Sequence, residues 1–260
     1  MRYREVAPSK ELSNLVACHW EFAADESLSP GHLHTIPVDG CVSIAISRSG
    51  DGHHKCVYVG PRLDPLRIPV FPGDRFWGVR ILPGASKSAI GVAGRELFGK
   101  WGLLAFVRPE LSNTLLQSLQ TASSLEEAIP VFESLLIHRE PPPAIASSVT
   151  AITACAGSIP VGSLPSVAGL SERQFQRVFL REVGLTAKQY ARICRLRAAA
   201  IGLVSGKQIT WTQIAVDRGY ADQSHLIREF QVLFGISPGE FERQFLADVE
   251  HGSIEWGCNL

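Results

Sequence analysis

"IAVDRGYADQSHLIREFQVLFGISPGEF", residues 214–241, decides the fold of the second half of the chain. Gly219 ends a short apolar stretch, and Asp222 stands where a helix would start. From there Leu226, Phe230 and Leu233 recur at helical spacing, and Gly235 closes the element. The outer side is left with Gln223, Ser224, His225 and Arg228. Working backwards, "LPSVAGLSERQFQRVFLREVGLTAKQY", residues 164–190, repeats the layout. Gly169 matches Gly219 at an offset of 50, while Phe179, Gly184 and Tyr190 match Phe230, Gly235 and Phe241 at 51. One residue is therefore inserted near the start of the second unit's longer helix. Short helix, glycine turn, longer helix, glycine and a capped helix start form a helix-turn-helix, here used twice. "TAKQYARICRLRAAAIGLVSG" between the copies reads as one long helix that sets their separation.

In each unit the longer helix buries one side and offers the other. The first buries Phe175, Val178 and Phe179 and offers Arg173, Gln176 and Arg177 among its polar residues. Arginine can bridge guanine O6 and N7, and glutamine can bridge adenine N6 and N7, so these forked donors suit a major groove. A solvated helix face also carries Arg and Gln. Repetition at matched positions argues for base reading over that alternative. Charge leans the same way: residues 144–246 hold 11 Lys+Arg against 7 Asp+Glu, whereas residues 1–143 hold 14 against 15. A basic second half suits a polyanion partner.

These residues carry a resemblance. Residues 157–246 resemble the DNA-binding domain of the AraC/XylS family of transcription regulators. The second unit has the family's Ile-Ala opening, glycine before an aromatic, Asp-x-Ser, Arg-x-Phe, glycine, Ser-Pro and closing aromatic. The resemblance implies base-facing Arg173, Gln176 and Arg177 in the first unit, and Gln223, Ser224, His225 and Arg228 in the second. One departure is Pro165, where alanine is usual. Proline lacks a donor N–H, so the first short helix should start at or just before Leu164.

The first half reads as strands. "CVSIAIS" and "KCVYVG" flank "RSGDGHH", a hairpin signal, and "LVACHWEF" alternates with Val16, Cys18, Trp20 and Phe22 on one face. Helices are expected after about residue 110, with a capping box from Ser124 to Glu127 and an apolar stripe at Leu125, Ile129, Phe132 and Leu136. "EPPPA", residues 140–144, reads as a stiff linker. The expected division is a β-rich domain over 1–140, a double helix-turn-helix over 141–246 and a tail over 247–260. The class is α+β, an antiparallel sheet domain followed by an all-α domain. "IPVDGCVSIAIS", "YVGPR" and "GVRILPGASKSAIGVAGREL" resemble a poorly characterised sensor-like domain. That resemblance implies a cupin-like β-barrel that takes a small effector, and helices that pair in a homodimer. RNA polymerase is a plausible further partner.

Alternatives remain for the first half. His32 and His34 lie two apart before Asp39, a loose echo of a metal box, and His53, His54, Cys41 and Cys56 could add ligands. Cys41 and Cys56 could also pair as a thiol switch, though nothing near them would depress a thiol pKa. A cupin-like enzyme with an attached helical domain is the class-level rival. No nucleophile elbow, P-loop, dinucleotide fingerprint or HExxH motif supports it. The expectation is a non-enzyme without metal or cofactor. With 45% hydrophobic and 19% charged residues, no apolar leader in "MRYREVAPSKEL" and no run of spanning length, the expected location is the cytoplasm.

Overall fold

The computed structural model describes residues 1–204 and 210–243, and the backbone of 254–255. The tail assigned to 247–260 otherwise lies outside the described residues. In the first half the strands are β1 (Arg2–Val6), β2 (Val16–Ala23), β3 (His32–Ile36), β4 (Val42–Arg48), β5 (His54–Val59), β6 (Leu66–Val70) and β7 (Arg75–Ile81). Then come α1 (Ser86–Ile90), α2 (Gly94–Leu97), β8 (Trp101–Leu103), α3 (Pro109–Ser118) and α4 (Leu125–Leu135). The main sheet has the order β8-β5-β4-β7-β2-β1, with Ile254–Glu255 (β9) parallel to β1, and β3 pairs with β6 in a separate ribbon. β4 and β5 form the hairpin read from "RSGDGHH", with Arg48 opposite His54.

The alternation of side chains gives this sheet two different faces. One carries Ile44, Ile46, Cys56, Trp77, Val79 and Ile81, packed on Leu115, Leu125, Ala128 and Phe132 of α3 and α4. Ser124 Oγ accepts from Glu127 N at 3.3 Å, so α4 starts where the capping signal set it. The other face turns Ser43, Ala45, Phe76, Arg80 and Trp20 towards the β3–β6 ribbon across a cavity of ≈ 1380 Å³. Trp20 lies over Gly78: a Cβ there would stand 2.4 Å from its ring.

Two expectations change. The ladder shifts between Val16 and Cys18, where a β-bulge sets the first opposite Ile81 and the second opposite Arg80. The extra residue flips Val16 onto the helix-packed face, away from Cys18, Trp20 and Phe22. Helix also begins well before residue 110, in the short α1 and α2. Both are too short to show an apolar period.

The second half is helical: α5 (Pro143–Ala154), α6 (Leu164–Ala168), α7 (Glu172–Val183), α8 (Ala187–Val204), α9 (Trp211–Asp217), α10 (Gln223–Phe234), and helical residues 238–243. Pro165 sits in the first turn of α6, the place that tolerates it. No described helix is long and apolar enough to cross a membrane. The helical core gathers Ile145, Phe175, Phe179, Tyr190, Leu226 and Phe230, and it reaches into the first half to include Val38. Among the described residues, several contacts tie the halves. Gly40 lies under the Tyr190 ring, Gly94 meets the backbone of Glu182 and Val183, and Arg67 Nη2 donates to Gly235 O at 3.1 Å.

Candidate nucleic-acid interface

The two longer helices, α7 and α10, are built by the same local chemistry. Gly169 and Gly219 turn the chain at φ 64° and 70°, a left-handed conformation that costs glycine little. Ser171 then caps α7: its Oγ accepts from Gln174 N at 3.4 Å, and Gln174 Oε1 takes Ser171 N at 3.2 Å. Asp222 caps α10, accepting from His225 N at 2.7 Å. Gly184 and Gly235 end both helices in the left-handed region, and Thr186 and Ser237 cap the next helix in each copy. The residue inserted in the second copy falls in the turn: Leu170 alone separates Gly169 from Ser171, whereas Tyr220 and Ala221 separate Gly219 from Asp222.

Those caps fix which side chains face outward. Arg173, Gln176 and Arg177 are exposed on α7, and Gln223, Ser224 and Arg228 on α10. Arg173, Arg177 and Arg228 have no hydrogen-bond or ion-pair partner among the described residues, so their guanidinium forks are free to bridge an acceptor pair. Gln176 Nε2 donates to Glu172 Oε1 at 3.1 Å, and Gln223 Oε1 accepts from Thr212 Oγ1 at 3.1 Å. Both amides must leave these bonds before they can bond an outside partner. His225 differs from its neighbours: it is half-buried, its ring edge on Tyr220 at 5.4 Å and its Nε2 3.7 Å from Glu229 Oε1.

The structure adds supporting residues that the sequence pattern does not single out. Arg192 of α8 donates through Nε to Glu229 Oε1 at 2.6 Å and pins α10 to the connecting helix. Arg195 lies over the Tyr220 ring at 5.9 Å and donates to Gly157 O at 3.1 Å. Trp211 packs edge-on against Phe230 at 5.9 Å. Glu229 has Val178 as its counterpart 51 residues earlier, so the repeat itself gave no signal for the ion pair. The connecting helix α8 has 18 residues. That length spans about 27 Å at 1.5 Å per residue.

The metal and thiol alternatives do not assemble. Among the described residues no group of three His, Cys, Asp or Glu stands close enough to hold an ion. His32 and His34 sit on a paired strand, not in a loop, and the His34 ring packs on Phe22 at 4.4 Å. Burial, with His32 beside it, lowers the His34 pKa to about 4. Cys56 lies opposite Ile46 on the helix-packed face, whereas Cys41 precedes β4 on the cavity side, and both thiols are free. Five residues of strand are about 17 Å, and a disulfide needs Cα atoms within about 7 Å. Burial pushes the Cys56 thiol up to about 12 and the Cys41 thiol well above its ordinary value, the opposite of a reactive thiolate.

Comparison with known proteins agrees with this geometry. Residues 164–244 match the family model of a helix-turn-helix domain, and residues 4–100 match a domain of unknown function. The Transposon Tn10 TetD protein of Escherichia coli is 30% identical over 93 residues, 36% of this chain and 67% of that protein. The probable transcriptional regulator LumQ of Photobacterium leiognathi is 34% identical over 84 residues, 32% of this chain and 34% of LumQ. The chain thus spans about a third of LumQ and two thirds of TetD. Among solved structures, a probable AraC family transcriptional regulator from Rhodopseudomonas palustris has 25% identity and a TM-score of 0.36, over 39% of this chain and 95% of that one.

Proposed function

The chain belongs to the AraC/XylS family of transcription regulators, and on that premise we propose that it binds double-stranded DNA at a specific sequence through both helix-turn-helix units. The observation that carries this reading is the pair of capped helices α7 and α10, each offering unpartnered arginines, Arg173 and Arg177 on one and Arg228 on the other. These arginines, with Gln176, Gln223, Ser224 and His225, read base edges. The DNA-binding part is residues 141–246, and residues 1–140 govern it by taking up a small effector or by pairing in a homodimer. Bound at a promoter in the cytoplasm, the protein meets RNA polymerase. The two units differ in sequence and are joined head to tail, so their half-sites should be unlike and about 10 base pairs apart on one face of the duplex.

Selection of bound sequences from random DNA by the purified protein tests this. Recovery of one asymmetric bipartite site, with binding that falls steeply as salt rises, is the expected result. No enrichment at low salt would overturn the proposal. The rival, an enzyme with an attached helical domain, draws no support from the matched helix-turn-helix domain.

A further inference from the structure

The repeat that builds α7 and α10 also gives them equivalent ends. Each helix has 12 residues and closes on a glycine in the left-handed region, Gly184 in the first copy and Gly235 in the second. The first half of the chain touches both glycines. At Gly184 the partner is backbone: a Cβ there would stand 2.6 Å from Gly94 O, at the start of α2. At Gly235 the partners are side chains: a Cβ would stand 2.9 Å from Pro65 Cγ and 3.4 Å from Arg67 Nη2. Arg67 Nη2 also donates to Gly235 O at 3.1 Å. That places a cation on the carbonyl end of α10, where the helix dipole favours it. Phe234 and Ile236, either side of this glycine, line the same cavity as the β3–β6 ribbon.

The two joints differ in kind. Gly184 meets backbone, and a Cβ on Gly84 would also reach Val183 Cγ2 at 3.4 Å, so α7 is met at two points. Pro65 and Arg67 lie at the start of β6, in the separate ribbon, and the Arg67 bond is exposed. An exposed hydrogen bond contributes modestly, so α10 has the weaker hold. Both joints sit at the helix ends opposite the first turns that carry Arg173 and Gln223. At 1.5 Å per residue those turns are about 18 Å away, which lets DNA and the first half hold one helix together. The first half thus bridges α7 and α10 by a route separate from α8. Successive base pairs differ by about 3.4 Å along a duplex and by about 35° around it. To follow half-sites moved apart by one base pair, α10 would have to shift by that much relative to α7. A 3.1 Å hydrogen bond does not survive such a shift.

We propose that Pro65 and Arg67 determine the half-site spacing that the protein accepts: through Gly235 they fix α10 relative to α7 and confine binding to one separation. Both are positioning residues that act through α10. The proposal rests on the reading of α7 and α10 as the helices that meet DNA, and adds what sets the distance between their sites.

Binding of the full chain, Arg67→Ala and Pro65→Ala to duplexes that carry both selected half-sites at varied spacing tests it. The spacings run to about three base pairs either side of the best one. The parent should favour one spacing. In each variant the preference for that spacing over its one-base-pair neighbours should fall about fivefold, as the loss of one contact implies. The bases chosen inside each half-site should stay the same. Weaker binding at every spacing alike, the mark of lost stability only, would overturn the proposal, as would an unchanged spacing preference. Hydrogen exchange of the DNA-free chain gives a second readout. Residues 231–236 should exchange faster in Arg67→Ala, and residues 180–185 as in the parent. Unchanged exchange at 231–236 would show that the joint does not hold α10, and would also overturn it. Failure of the underlying DNA reading looks different: the parent itself would bind a single half-site as tightly as the pair, and the proposal would fall with it.

Discussion

Asp222 is the residue whose replacement best separates a reading helix from a merely packed one. Its carboxylate accepts from His225 N at 2.7 Å, and the turn it closes carries Gln223, Ser224 and His225. Asp222→Ala removes an N-cap, a loss of about 1 kcal/mol, and a favourable negative charge at a helix start, a further ~0.3–1 kcal/mol. Asp222→Asn keeps the cap and loses only the charge. If the first turn meets base edges, DNA must re-order it in the Ala variant. A penalty of about 1 kcal/mol then appears as binding weakened about fivefold. Ser171→Ala should do the same to α7, where the cap and Gln174 close a reciprocal pair. Fluorescence anisotropy on three duplexes resolves the two: the selected site, and that site with either half scrambled. Asp222→Ala should lose affinity only where the α10 half-site is intact, and Ser171→Ala only where the α7 half-site is intact. Asp222→Asn should bind as well as the parent or better. The reasoning fails if Asp222→Ala melts lower by the expected amount yet binds all three duplexes as the parent does. It fails equally if Ala and Asn at 222 bind DNA alike.

Arg228→Ala should weaken specific binding by about 1–3 kcal/mol and relax selection at one or two base pairs, as read by repeating the selection with the variant. Gly78→Ala should destabilise by about 1–3 kcal/mol in urea unfolding, because the new methyl would stand 2.4 Å from the Trp20 ring. Trp20→Leu in that background should recover part of the loss, whereas additive losses would mean that the ring moves aside freely. Acid should weaken the fold through His34 and His19, whose burial lowers both pKa values from 6.5. The stability is complete above pH 6.5 and lost as pH falls, because the unfolded chain takes up protons that the native rings refuse. For His34, with a folded value of about 4, the loss is at most ~3 kcal/mol, and His34→Phe should flatten the urea midpoint between pH 7 and pH 5. The fragment 141–260 should fold with reduced stability, having lost Val38 from its core, and should protect about two turns of DNA in two unlike patches. A single short patch would refute two-unit binding.

The helical half was legible because its signals are local. Gly169, Ser171, Gly184 and their counterparts punctuate the chain at the places where backbone geometry needs them, and Phe175, Phe179, Leu226 and Phe230 mark the buried sides. What the sequence could not give was set by tertiary contact. The bulge that turns Val16 away from Cys18 leaves no trace in an alternating pattern. Cys41 and Cys56 looked like neighbours because strand order was known and strand face was not. His225 looked like Ser224 beside it, and only the packing of Tyr220 and Glu229 shows that its ring is partly engaged. The ion pair between Arg192 and Glu229 joins residues 37 apart, with no periodicity to link them.

The meeting of Gly94 with the end of α7 has a consequence for engineering. Backbone touches backbone there: a Cβ on Gly94 would lie 2.5 Å from Glu182 O, and one on Gly184 would lie 2.6 Å from Gly94 O. At this point the contact is backbone on backbone, so exchanging a side chain cannot relieve it. A chimera that grafts residues 1–140 onto the DNA-binding half of a relative inherits a seam that accepts only glycine on both sides. Where the graft brings any larger residue to either position, α2 and α7 are pushed apart. The two halves of this chain are therefore not interchangeable cassettes, and recombination between relatives is viable only where both glycines travel together.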